Sequence, residues 1–189
     1  KKGKNLFNLD IARKFSNESE NVYLVEGYMD VVSLNKNKIM NSVANLGTSL
    51  TEIQIELIWR FFPNITICFD GDKGGRDAAI RAADRLIEII KPDCKISFLF
   101  LPSNHDPDSF INKFGKDHFL SYVKNEISIH EFIWNNYSQD INIKEPSSMA
   151  SLEKILKQKF NSIKDLTVRK YTLEFFYEKL AQLTPITNM

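Results

Sequence analysis

The run Ile65-Thr66-Ile67-Cys68-Phe69 stops at Asp70-Gly71-Asp72, and Lys73-Gly74-Gly75-Arg76-Asp77-Ala78-Ala79 follows at once. A short β-branched run, then acids and glycines, then alanines at helical spacing reads as a buried strand, a tight turn and a helix packed back on the strand. That order places Asp70 and Asp72 at the carboxyl end of a strand, where open α/β sheets put their ligands. Gly71 lets the chain turn and leaves both carboxylates free to converge. Convergent carboxylates repel unless a cation lies between them, and the usual partner is a hard divalent ion such as Mg²⁺. Alone, Asp-Gly is a common turn pair, and Asp72 is equally suited to capping the next helix. A calcium loop fails, because Gly74 sits where a third oxygen ligand belongs and Arg81 where the closing Glu belongs. A nucleotide-binding glycine loop fails too, because the glycines follow the acids and no G-x-G-x-x-G is present.

The same arrangement recurs. Val22-Tyr23-Leu24-Val25 reads as a strand that ends in Glu26, with Gly27 and a helix from Tyr28 to Leu34 behind it; Asp30 falls near the first helical turn. Lys95 to Leu101 is a further strand, and it leads into Pro102-Ser103-Asn104-His105-Asp106-Pro107-Asp108. Pro107 pushes Asp106 out of the helical region, and Asp108 is placed to cap the helix that follows. His105 reads as a loop residue, since no second His or Cys stands at metal spacing. Acids at several strand ends favour one shared site.

The intervening elements complete the pattern. Ser42-Val43-Ala44 is a short strand, with a loop over Asn45-Leu46-Gly47-Thr48 and a helix from about Leu50 to Phe62. Ser49 and Glu52 have capping-box spacing at its start, and Pro63 stops it. After the paired glycines, Ala78, Ala82, Leu86 and Ile89, and beside them Ala79, Ala83, Ile87 and Ile90, repeat at helical spacing up to Pro92. Strand and helix alternate four times. The expectation is an α/β fold with a mainly parallel four-stranded sheet flanked by helices, its acid-bearing strand ends on one edge. Leu6, Leu9 and Ile11 are expected on one face of a short helix in a lead-in segment, residues 1–19. The α/β domain is expected over 20–125 and a small all-helical bundle over 126–189. In the bundle, Ile129, Phe132, Ile133 and Tyr137, then Leu152, Ile155, Leu156 and Phe160, then Val168, Tyr171, Phe175, Phe176, Leu180 and Leu183 recur at core spacing. Ser138 to Ser148 reads as a linker.

Composition narrows the partners. The 189 residues are 43% hydrophobic and 26% charged with a net charge of +1, so a globular core is expected and any nucleic-acid contact must be local. Cys68 and Cys94 are isolated in or beside apolar runs, which fits buried thiols in a reducing compartment. No apolar run approaches the ~18 residues of a membrane span, so no membrane partner is expected. The chain opens at Lys1 without an initiator Met, as expected of a piece of a longer protein.

Four blocks in order carry a resemblance: Val25-Glu26-Gly27-Tyr28-Met29-Asp30-Val31-Val32; Ala44-Asn45-Leu46-Gly47-Thr48-Ser49-Leu50-Thr51; Cys68 to Ala79; and Leu101-Pro102 leading into Asp106-Pro107-Asp108. Together with the opening Asn5-Leu6-Phe7-Asn8-Leu9, they resemble the catalytic domain of bacterial DnaG-type primases, in register to about residue 125. The resemblance implies a Toprim fold and template-directed synthesis of short RNA primers on single-stranded DNA, in the cytoplasm. It implies Glu26, Asp70 and Asp72 as principal ligands of Mg²⁺ or Mn²⁺. Asp30, Asp106 and Asp108 would complete the acidic site, and Lys73 and Arg76 would meet phosphate. Implied partners are the DNA template, nucleoside triphosphates, the RNA–DNA hybrid and a replicative helicase, the last reached through a domain absent here. The two cysteines do not supply the family's zinc module, so no zinc is expected. Gly74 stands where the family usually has alanine, and Lys38 and Asn104 where glycine is common. Rival readings are another Toprim enzyme, a nuclease or topoisomerase fragment, or a non-catalytic module that docks DNA or a partner.

Overall fold

The computed structural model describes residues 3–45 and 50–183. These fall into two compact units, residues 1–82 with 93–128, and residues 83–92 with 129–189.

The first unit is built on one sheet. Its strands are β1 (Asn21–Val25), β2 (Ser42–Ala44), β3 (Asn64–Phe69), β4 (Lys95–Phe100) and β5 (Ile127–Ser128), in the spatial order β2-β1-β3-β4-β5. The first four are parallel. The expected four-stranded sheet thus gains a fifth, antiparallel strand, with Phe98 opposite Ile127. Two polar contacts hold it: Glu126 accepts from the Thr66 hydroxyl at 2.6 Å and pairs with Lys95 at 3.5 Å. Side chains alternate along the central strands, so Tyr23, Val25, Cys68 and Leu99 share one core cluster with Val31, Leu34, Phe110 and Phe119. Ile65, Ile67, Phe69 and Phe98 point the other way and are buried as well. The sheet is covered on both faces, as parallel sheets require.

The helices of this unit are α1 (Leu9–Ala12), α2 (Tyr28–Lys36), α3 (Glu52–Ile58), α4 (Lys73–Leu86, whose last residues from Ala83 belong to the second unit) and α5 (Pro107–Val123). Several boundaries differ from expectation for local reasons. α1 starts only at Leu9, because Phe7 bridges to Ala44 and covers the open edge of β2. α3 is shorter than Leu50–Phe62. Its cap is Thr51, whose hydroxyl accepts from the Gln54 N–H at 3.2 Å while Gln54 returns a bond to the Thr51 N–H. Ser49, expected as that cap, lies outside the described residues, as do Leu46, Gly47 and Thr48. Asp106 caps α5 in place of Asp108: its carboxylate accepts from the Ser109 N–H at 2.7 Å, and Pro107 is the first helical residue. α4 gives way after Leu86 to a 3-10 turn over Ile87–Ile89. Lys38 and Asn104 take the left-handed conformation that glycine favours, with φ 64° and 66°.

The second unit holds α6 (Ile129–Ser138), α7 (Pro146–Asn161) and α8 (Leu166–Leu183). Pro146 opens α7, so the connection is 139–145, shorter than the expected linker. Phe132, Trp134, Leu152, Leu156, Phe160 and Phe176 are buried. Ile155 and Tyr171, expected in the core, are exposed by 41% and 61%.

Two glycines fix how β3 meets its neighbours. A Cβ on Gly71 would lie 2.2 Å from the Pro102 carbonyl oxygen, and one on Gly75 would lie 2.2 Å from that of Asp70. Only a bare backbone allows either approach. At Gly74 a Cβ would meet only the flexible Asp72 carboxylate, at 3.3 Å. Gly75→Ala is therefore expected to destabilise the chain by about 2 kcal/mol or more. Gly74→Ala is expected to be neutral or stabilising by up to about 1 kcal/mol. Urea denaturation of the two variants checks the contrast; equal effects would mean that the close approach does not exist in solution.

Candidate active site

β1 and β3 are neighbours, yet their connections run in opposite directions, β1 to β2 on one side and β3 to β4 on the other. This is a topological switch point, where the carboxyl ends of parallel strands leave a crevice. Glu26 follows β1 and Asp70 follows β3, one at each lip. The β4 end is drawn to the same place. The Gly71 N–H donates to the His105 carbonyl at 3.3 Å, and the Asp108 N–H donates to the Asp30 carboxylate at 3.1 Å.

The acids differ in what they do locally. Glu26 is exposed. Asp70 is half-buried, and its carboxyl is pushed up to about 6 by burial and then by the charges of Glu26, Asp30, Asp106 and Asp72. Asp72 accepts from the Gly75 N–H at 2.8 Å, so the capping role open to it in the sequence is real. One oxygen does that work and leaves the other available. Asp106 likewise caps α5 with one oxygen. Burial alone would raise its carboxyl, but the Ser109 hydrogen bonds prevail and hold it below the ordinary range. Asp30 is buried, 8% exposed, and both its oxygens are engaged: Oδ2 accepts from the Gly27 N–H at 2.9 Å and Oδ1 from that of Asp108. Its carboxyl is raised, chiefly by burial, against those two donors. Asp108 Oδ1 accepts from the Ser33 hydroxyl and from the Asn112 side-chain amide.

Lys73 and Arg76 are exposed on the first turn of α4, and the Arg76 guanidinium lies 5.8 Å from the centre of the Phe100 ring. Sequence reasoning missed Ser33 and Asn112. A signal existed for both: Ser33 is one helical turn after Asp30, and Asn112 is one turn after Asp108.

Among the described residues, no group of three or more His, Cys, Asp or Glu side chains forms a ready-made metal cage. The donor chemistry still suits a hard cation. The crowded groups are all carboxylates, and the part of the Asp70 rise that its charged neighbours add to burial is the kind a divalent ion would relieve.

The sheet order and the acid-bearing switch point define a Toprim-like α/β protein, and residues 23–111 match the family described as Toprim-like. The DNA primase of Rickettsia typhi is 38% identical over 159 residues, 84% of this chain and 27% of that one. A DNA primase domain from Pseudomonas aeruginosa superposes with a TM-score of 0.88 at 30% identity, covering 99% of this chain and 57% of that one. A DnaG primase catalytic domain solved with single-stranded DNA bound superposes with a TM-score of 0.86 at 31% identity, covering 96% and 57%. The chain belongs to the family of bacterial DnaG-type DNA primases and corresponds to part of their catalytic core. It spans about a quarter of the length of the curated relative from Rickettsia typhi. No helix among the described residues is long and apolar enough to cross a membrane.

The raised Asp70 carboxyl has a definite sign in stability. The folded chain favours neutral Asp70, so that stability is present below the unfolded value near 3.8 and is lost as pH rises through about 6. Asp70→Asn removes the charge. In EDTA its melting temperature is expected to exceed the wild type's by several degrees at pH 8, and by clearly less at pH 5. Thermal scans at the two pH values check this; an equal gain at both would mean that Asp70 is not under electrostatic strain.

Proposed function

We propose that this chain is the nucleotidyl-transfer centre of a primase that makes short RNA primers on a single-stranded DNA template. The observation that carries the reading is the gathering of three acid-bearing strand ends at the β1/β3 switch point of a DnaG-family chain. The likeness to a primase domain that binds single-stranded DNA supports the same template here. Glu26, Asp70 and Asp72 would hold Mg²⁺, or Mn²⁺, with the remaining oxygens of Asp106 and Asp108 nearby. A divalent ion supplies, when bound, neutralisation of the phosphate charge during phosphoryl transfer.

The chain's own residues do the rest by position and charge. Lys73 and Arg76, exposed beside the acids, offer cations to the triphosphate, and Phe100 supports the guanidinium. Asp30 holds the site's walls together. Further partners under this reading are the RNA–DNA hybrid and a replicative helicase, the latter through a part of the protein outside this chain, in the cytoplasm. The Toprim assignment is 20–125 and the helical subdomain 126–189, although residues 83–92 pack with the second compact unit.

The test is template-dependent primer synthesis by the longer protein. Glu26→Gln is expected to lower the rate on the order of a hundredfold or more, with the helical circular dichroism unchanged. Retention of the wild-type rate would reject the site. Cutting of a labelled strand without nucleoside triphosphates would assign a nuclease instead.

A further inference from the structure

We propose that Ser33 and Asn112 are positioning residues of the acidic site, and that Asp30 acts as the tie between two strand ends and does not ligate a cation. The proposal rests on the metal-dependent reading above and deepens it. Its basis is an accounting of oxygens. Both oxygens of Asp30 are taken, one by the Gly27 N–H at 2.9 Å and the other by the Asp108 N–H at 3.1 Å. Gly27 follows Glu26 at the end of β1, and Asp108 lies in the first turn of α5, directly after the turn that follows β4. One buried carboxylate therefore spans the two walls on either side of Asp70. Each Asp30 oxygen keeps a second lone-pair site, but at 8% exposure and with a backbone donor on each oxygen the carboxylate is held in the wall of the site and is not presented to an incoming ion.

The tie is locked from the other end. Asp108 Oδ1 accepts from Ser33 on α2 and from Asn112 on α5, the latter at 2.7 Å, and Asn112 also donates to the Ser33 hydroxyl at 3.2 Å. Ser33 is itself buried, 6% exposed, against α5. Two donors on one oxygen fix the carboxylate's rotation and direct Oδ2 away from them. Among the described residues, Glu26, Asp70, Asp72 and Asp106 each keep at least one oxygen without a hydrogen bond. The six acids thus divide into four with an oxygen left open among the described residues, one that ties the walls, and one aimed by neutral side chains. Neutral donors suit this task, because a lysine or arginine there would itself neutralise the site.

Two measurements on the purified chain test the proposal. The first needs no metal: amide hydrogen exchange in EDTA at Gly27 and Asp108. Asp30→Asn keeps the shape but offers a donor where one acceptor stood, so exchange is expected to quicken about tenfold at one of the two amides. Ser33→Ala is expected to quicken exchange at Asp108. The second is Mn²⁺ binding followed by the electron paramagnetic resonance of free ion. Ser33→Ala and Asn112→Ala are each expected to weaken binding about tenfold. Glu26→Gln is expected to weaken it without changing exchange at Gly27 or Asp108. Should Ser33→Ala fail to fold, Asn112→Ala, on the exposed side of the network, gives the same reading. Loss of Mn²⁺ binding in Asp30→Asn with both amides still protected would make Asp30 a ligand and overturn the tie. Unchanged exchange at Asp108 and unchanged Mn²⁺ affinity in Ser33→Ala would overturn the positioning role. If the wild type binds no Mn²⁺, the metal reading fails, and the exchange rates alone decide whether the tie exists.

Discussion

Repulsion between carboxylates is the constraint on which the rest of the first unit depends. Three strand ends deliver acid to one edge of the sheet, and the charges of Glu26, Asp30, Asp106 and Asp72 add to burial in raising Asp70. A chain free to relax would splay these ends apart. The fold opposes this with backbone donors: Gly27 and Asp108 to Asp30, Gly75 to Asp72, Ser109 to Asp106, and Gly71 to the His105 carbonyl across the gap. Each N–H aimed at a carboxylate is a charge-assisted bond, about twice as strong as a neutral one. The site is therefore held together by helix starts and turns, with the sheet core as their platform.

Close approach makes those bonds possible. Gly71 sits against the Leu101 and Pro102 carbonyls, and Gly75 against the carbonyl of Asp70. A side chain at either place would push β3 away from the β4 turn or lift the start of α4. The glycines thus serve the acids on both sides of them, and a turn is only part of their role. Gly74 has no such neighbour, which is why the pair of glycines in the sequence is not a pair in function.

Much of this was legible in the sequence. Apolar runs marked β1, β3 and β4, the first two ending directly in acid and the third leading through Pro102 to Asp106, since burial on both faces leaves a continuous β-branched or aromatic signature. What escaped has physical reasons. β5 is two residues long, too short for any period, and is held by Thr66 of β3 and Lys95 of the neighbouring β4, both reaching Glu126. Asp108 is the expected cap of α5, and Pro107 moves that role to Asp106: proline is favoured at the first helical position, which makes the residue before it the cap. Ile155 and Tyr171 had core spacing but lie on helix faces that the described part of the bundle leaves exposed, and period alone does not count neighbours. Ser33 and Asn112 carry no motif. Their meaning arises only when α2 and α5 pack side by side.

The capping and metal readings of the acids looked like alternatives in the sequence, and the structure shows that they need not compete. A carboxylate has two oxygens and about four lone-pair positions. Asp72 spends one oxygen on Gly75, and Asp106 spends one on Ser109. In each case the bond anchors the side chain and fixes its direction, while the other oxygen remains for an incoming charge. A helix N-terminus also stabilises the negative charge that a cation needs to find there. Capping is thus compatible with the metal-binding role proposed for these two acids. Under the reading proposed above, Asp30 marks the limit of that logic: buried, with a backbone donor on each oxygen, it ties two strand ends together and serves as part of the frame.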